Sequence, residues 1–262
     1  MKVQGLTIVV TGAAAGIGRA LALRFHRDGA QAVVAADIDG AGAEAVAREV
    51  GGAGFACDVA REDDVARLID QTERRFGPIG LYCSNAGIFG MADAPGNVAS
   101  APDEAWARGW SVNVMGHVHA ARVLVPRMKE RGGGAFLLTV SAAGLLSQIG
   151  NAIYSTTKHA ALGFAESLAI AHRDDGIRVF VLCPQGVDTA LLREAGDGPQ
   201  NRDGVLTPDQ VAASVMDALE RDSFLILPHP QVADYLLRKA TNYDRWIAGM
   251  VKIKRSLGAK GD

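Results

Sequence analysis

Tyr154 and Lys158 stand four residues apart in SAAGLLSQIGNAIYSTTKHAALGFAESLAI, which runs from Ser141 to Ile170. Amphipathic spacing predicts a helix over 152–173, and on a helix the two side chains share one face. A phenol is a poor base at neutral pH, with a reference pKa of about 10. An ammonium at about 4 Å, with an effective dielectric of about 20, would favour the phenolate by roughly 4 kcal/mol. The pair therefore predicts a Tyr154 drawn towards neutral pH, where general acid–base catalysis works best. Ser141 ends an apolar run and would hold the substrate oxygen that Tyr154 protonates or deprotonates. Chance pairs of this spacing are common on helix surfaces, so the pair gains meaning only with other motifs.

A second motif is TGAAAGIG, from Thr11 to Gly18. Gly12 permits a tight turn, while Gly16 and Gly18 let the backbone approach a diphosphate at a helix N-terminus. Gly12, Gly16, Ile17 and Gly18 are the candidate contacts. The spacing is G-x-x-x-G-x-G rather than G-x-G-x-x-G, and a ligand-free strand–helix turn is the plain alternative. Asp37 ends the next apolar run, VVAAD. A carboxylate there accepts hydrogen bonds from the ribose hydroxyls of NAD and repels the extra phosphate of NADP. With no arginine or lysine in the glycine turn before Gly16 or immediately after Asp37, NAD is the expected cofactor.

These residues need a scaffold. Short β-branched runs alternate with longer amphipathic stretches. Strands are expected at LTIVVT, QAVVAAD, GAGFACDV, GLYCSNAG, GAFLLTVS, IRVFVLCP and FLILP. Helices are expected after the glycine turn up to Gly29, near 40–50, 62–76, 102–130, 152–173 and 207–221, and as a last one over roughly 231–255. Such alternation predicts an α/β fold: a doubly wound, Rossmann-like parallel sheet with helices on both faces, in a single domain over 1–262. The segment 192–207 is polar and glycine-rich and is a candidate substrate lid, or a plain surface loop.

A pocket beyond the C-terminal ends of the strands would use Ser141, Ala142 to Leu146, Ile149, Asn151, Gln185, Gly186 and 191–206. Leu145, Leu146, Ile149, Leu191 and Leu192 make it apolar. Asn151 would add a polar contact or act as a helix N-cap. A steroid, an aryl carbinol or a fatty hydroxy compound would fit.

The 262 residues carry a net charge of −2, which gives no electrostatic reason to expect a nucleic-acid or membrane partner. No apolar segment approaches spanning length. Cys57, Cys83 and Cys183 lack metal-site spacing and fall in apolar runs, so buried packing in a reducing, cytoplasmic setting is expected. The N-terminus reads as a first strand rather than a signal peptide. The basic end, VKIKRSLGAK, reads as a solvated tail. DYLLRKATNYDRWIAGM has helical aromatic spacing, which suits ordinary packing better than closure of a cleft.

Taken jointly, TGAAAGIG, Asp37, Asp58–Val59, Asn85–Ala86–Gly87, Asn113, Ser141 and YSTTK at Tyr154–Lys158 resemble the short-chain dehydrogenase/reductase family. The match in order and spacing runs to about Pro228. The resemblance implies a seven-stranded sheet in the order 3-2-1-4-5-6-7 and a homodimer or homotetramer. It implies that Asp58 and Val59 frame the adenine, that Asn85, Ala86 and Gly87 line the cofactor cleft, and that Lys158 binds the nicotinamide ribose. Asn113 would anchor a water near Lys158, Tyr154 would be the acid/base and Ser141 the orienting residue. A lyase, an epimerase or a cofactor-sensing protein on the same scaffold remains open beside an oxidoreductase acting on a secondary alcohol.

One departure stands out. The family's Pro-Gly-x-Val-x-Thr appears as Pro184-Gln185-Gly186-Val187-Asp188-Thr189. Pro184, Gly186, Val187 and Thr189 are expected to hold the cofactor, and Gln185 to face the substrate or solvent. Either Gln185 takes an ordinary φ, or Gly186 absorbs the bend.

Overall fold

The computed structural model describes residues 1–196 and 198–258. Asp197, in the expected lid, and 259–262, in the expected tail, lie outside the described residues. The seven strands are β1 (Thr7–Thr11), β2 (Ala32–Asp37), β3 (Ala53–Ala56), β4 (Ile79–Ser84), β5 (Gly134–Thr139), β6 (Ile177–Leu182) and β7 (Leu225–Ile226). They form one sheet in the order β3-β2-β1-β4-β5-β6-β7, and every pairing is parallel. Parallel strands need crossovers, and the helices that supply them cover both faces.

Side-chain alternation along each strand feeds two cores. Val9, Val34, Tyr82 and Phe136 point to one face, where α3 (Glu62–Phe76), α5 (Gly116–Glu130) and α6 (Ala152–His172) bury Leu68, Leu124 and Ala165. Ile8, Val10, Leu81 and Leu137 point to the other. There α1 (Gly16–Arg27), α2 (Gly40–Glu49) and α8 (Pro208–Arg221) bury Phe25, Val46 and Leu219. The order reverses between β1 and β4, and the strand ends there open the crevice where such folds bind ligands. Cys57, Cys83 and Cys183 are buried thiols, as expected. Gly29, at φ +86°, follows the end of α1.

One expected helix runs through with a π-helical turn and another is broken, each at an asparagine. The stretch 102–130 divides into α4 (Asp103–Trp110), a π-helical turn Ser111–Met115 and α5. The wide turn holds Asn113. Near the C-terminus α9 (Gln231–Thr241) stops, and α10 (Tyr243–Gly258) starts on a new axis. Asn242 between them is extended, and its Oδ1 accepts from Arg245 N at 2.8 Å, so it caps α10. The expected tail is therefore helical as far as Gly258.

His117 on α5 is buried, with Nδ1 2.7 Å from Ser84 Oγ. Burial, helped by the charge of Lys158, pushes its pKa down to about 3. Below the ordinary value of 6.5 the unfolded chain binds a proton that the folded chain refuses. This stability is fully present above that value and is lost as pH falls towards about 3. From about pH 8 to about pH 5 the expected loss from this residue is about 2 kcal/mol. Urea midpoints of His117→Gln should show a correspondingly weaker pH dependence than wild type; an equal dependence would show that His117 is not the source.

Candidate active site

The turn between β1 and α1 is closed by its glycines. Gly12 and Gly16 have φ of +64° and +54°. A Cβ on Gly18 would lie 2.1 Å from Gly12 O, and one on Gly12 would lie 2.9 Å from Ala86 Cα. Side chains would therefore push the turn off the end of β4. No side chain caps the start of α1, so its first N–H groups face the cleft. Asp37 ends β2 with one carboxylate oxygen accepting from Ala14 N and the other from Asp39 N, each at 3.0 Å. Both oxygens keep a lone pair for a ligand.

Asn85 joins three strand ends. Its Nδ2 donates to Thr11 O at 3.0 Å, and its Oδ1 accepts from Thr139 Oγ1 at 2.9 Å. Asp58 Oδ1 accepts from Ala60 N, while Oδ2 meets Arg108 at 3.4 Å. With Ile17, Val59, Ala86 and Gly87 these residues line one continuous cleft of about 1090 Å³.

The cleft continues to Ser141, Tyr154 and Lys158. Lys158 is buried; its Nζ donates to Thr139 O at 3.1 Å and sits 5.6 Å from the centre of the Tyr154 ring. Asn113 lies behind Gly87. Its side chain holds Ile88 N and O and donates to Thr157 Oγ1 at 3.1 Å. A Cβ on Gly87 would meet Asn113 Oδ1 at 3.3 Å and Lys158 Nζ at 3.4 Å, so a side chain there would crowd the Asn113 amide.

The electrostatics differ from the sequence expectation. Burial pushes the Tyr154 phenol up, and only its hydrogen bond with Ser141 pulls the other way. Burial also lowers Lys158 to about 8. Desolvation opposes charge on both groups.

Gln185 settles the question of the bend. Neither it nor Gly186 has positive φ. Gly186 is needed for a close approach instead: a Cβ there would lie 2.8 Å from Gln200 O. Gly186 N donates to that oxygen at 2.9 Å, so the residue faces the segment 199–206 and not the cleft. Pro184, Gln185, Val187 and Thr189 do line the cleft. Gln185 N donates to His229 Nδ1, whereas its side-chain Oε1 is buried with no hydrogen-bond partner among the described residues.

Two expected substrate contacts are also not made. Asn151 is fully buried; its Oδ1 caps α6 at Tyr154 N and its Nδ2 donates to Phe89 O. Its amide is used up in positioning Tyr154. Leu145 packs into the core, while Leu146 and Ile149 reach the cleft. The expected lid takes in the end of α7 (Ala190–Ala195), whose start is capped by Thr189, and a 3₁₀ turn at Pro199–Asn201.

Sequence reasoning ranks ordinary packing above cleft closure for the C-terminal helices, and names none of their residues as cleft lining. Tyr235, Arg238, Trp246 and Met250 of α9 and α10 line the cleft, as do Phe89 and Gln148. The aromatic spacing of 235–246 was the available signal, and cleft closure is the role it takes.

The profile described as short chain dehydrogenase matches residues 6–200. A 1-deoxy-11-beta-hydroxypentalenate dehydrogenase of Streptomyces exfoliatus is 36% identical, over 93% of this chain and 89% of its own. A Burkholderia phymatum short-chain dehydrogenase/reductase solved with NAD superposes with a TM-score of 0.83 at 27% identity, covering 93% of this chain and 96% of its own. A Brucella melitensis 3-ketoacyl-(acyl-carrier-protein) reductase solved with NADH gives 0.76 at 30%, covering 86% and 95%. On its motifs, its sheet order and these likenesses, the chain belongs to the short-chain dehydrogenase family of oxidoreductases.

Proposed function

We propose that the protein moves a hydride between NAD and a secondary alcohol or ketone of largely apolar body, with Tyr154 as acid/base. The observation that carries this is one cleft with two chemistries. A glycine cradle and the Asp37 carboxylate lie at one end, and Ser141, Tyr154 and Lys158 lie at the other. The cradle fits a dinucleotide, because an added Cβ at Gly12 or Gly18 would strike backbone. Asp37 favours a free ribose over a phosphorylated one, and two similar structures hold NAD or NADH. NAD would supply the hydride acceptor.

The chain's own residues do the rest. Ser141 fixes the substrate oxygen. Burial keeps Tyr154 protonated at rest, ready to donate to a forming alkoxide in reduction. Lys158, with a pKa near 8, is still charged at neutral pH and favours the phenolate when Tyr154 takes a proton in oxidation. Asn113 fixes the turn behind Gly87. Leu146, Ile149, Leu191 and Leu192 suit an apolar substrate body, and the similar Streptomyces enzyme is named for a hydroxylated carbon compound. Ile170, 83% exposed on α6, is an apolar residue that a homodimer or homotetramer would cover.

Three variants test this reading against a panel of secondary alcohols, followed by NADH absorbance. Tyr154→Phe should cut turnover by roughly a hundredfold or more while NADH binding holds; full turnover would refute the acid/base role. Asp37→Ser should raise the KM for NAD about tenfold and narrow the preference over NADP, and an unchanged ratio would remove Asp37 from cofactor choice. For Gln185→Gly we expect a roughly fivefold higher substrate KM, the loss of about one hydrogen bond, with the KM for NAD unmoved. Identical constants for both would leave the Gln185 side chain without a role.

A further inference from the structure

Past Tyr154 the cleft is walled by α7, by the segment after it, and by α9 and α10. The apolar part of this wall includes Leu191, Trp246 and Met250. The charged part is Arg202, Arg238 and Arg245, against a single carboxylate, Glu194. The other acids that line the cleft, Asp37 and Asp58, belong to the cofactor end.

None of the three arginines has a carboxylate partner among the described residues, and Glu194 pairs with none of them. Arginines nearby are neutralised: Arg193 by Asp188, and Arg108 by Asp58. Arg238 lies 5.9 Å from the centre of the Tyr235 ring, and the Tyr235 hydroxyl donates to Asp203 at 3.0 Å. This cation–π contact leaves the Arg238 charge without an acidic partner among the described residues.

The platform beneath is anchored as well. Lys239, next to Arg238, is buried, and its Nζ donates to Leu145 O at 2.7 Å and Leu146 O at 3.1 Å. It fastens α9 to the loop that carries Leu146, and so fixes the helix that bears Arg238. The arginines are exposed at the cleft mouth, where an isolated ion pair contributes little. A ligand whose apolar body is already seated brings its anion within reach of three forked donors that have no carboxylate partner among the described residues.

We propose that this end of the cleft binds a carboxylate of the substrate, which is an alcohol or ketone carrying that group at the far end of its apolar body. Arg238 and Arg245, with Arg202, are its specificity determinants. The proposal rests on the hydride-transfer reading only for placing the reacting carbon at Tyr154.

The test uses the full chain loaded with NADH and a matched pair of fluorescent probes, dansylaminoundecanoate and its methyl ester. They differ only in the charge at one end. We expect the carboxylate to bind roughly tenfold more tightly than the ester, a preference that shrinks as salt is raised. The double variant Arg238→Gln/Arg245→Gln should abolish that preference through weaker carboxylate binding. NADH binding by the variant reports that it is folded. Arg238→Lys, which keeps charge but loses the fork, should retain part of the preference. Equal affinities in the wild type, a preference that survives the double variant, or binding of neither probe would each overturn the proposal. A carboxylate preference without any alcohol oxidation would instead count against the hydride-transfer reading and leave this subsite standing.

Discussion

One amide holds the cleft in shape. Asn85 reaches from the end of β4 to backbone oxygen at the end of β1 and to the Thr139 hydroxyl at the end of β5. Thr11 answers by accepting the N–H groups of Asn85 and Ala86. Those three strands flank the reversal of the sheet, where no crossover helix stands between their ends. Without this clamp the glycine turn and the lysine would sit on separate strand ends. With it, Thr139 serves both sides, since its hydroxyl meets Asn85 and its carbonyl holds Lys158. The glycine turn and the proposed proton-transfer pair thus share one set of hydrogen bonds.

At the reacting end, burial works against ionisation of both members of the pair. The phenol is raised and the ammonium lowered, each chiefly by lost hydration. The site as folded favours a neutral tyrosine beside a lysine that is still protonated at neutral pH. In the proposed reduction little reorganisation would then be needed for proton donation, and the same low-dielectric surroundings would strengthen any charge that develops there. Asn151 contributes indirectly: by capping α6 it fixes the first turn, which carries Tyr154.

Legibility in the sequence followed the range of the forces involved. The strands, the glycine turn and the Tyr154–Lys158 pair depend on neighbours a few residues away, and their patterns could be read directly. The break at Asn242 was equally local, and an asparagine cap went unread there. The π-helical turn at Asn113 was not local; it depends on contacts with Ile88 and Thr157, far off in the chain. Leu145 and Leu146 are adjacent and chemically alike, and only the fold decides which reaches the cleft. Gly186 could be recognised as special from its type, but its reason, the close approach of Gln200, lies in a tertiary contact.

Lys239 grips the carbonyls of Leu145 and Leu146 rather than any side chain on that loop. A backbone acceptor survives substitution of the residue that bears it. The loop can thus change its side chains, and so the shape offered to a substrate, without letting go of the helix pair that roofs the cleft. Divergence towards new substrates would then leave this fastening intact, which makes the roof and its floor a mechanically joined but chemically editable unit.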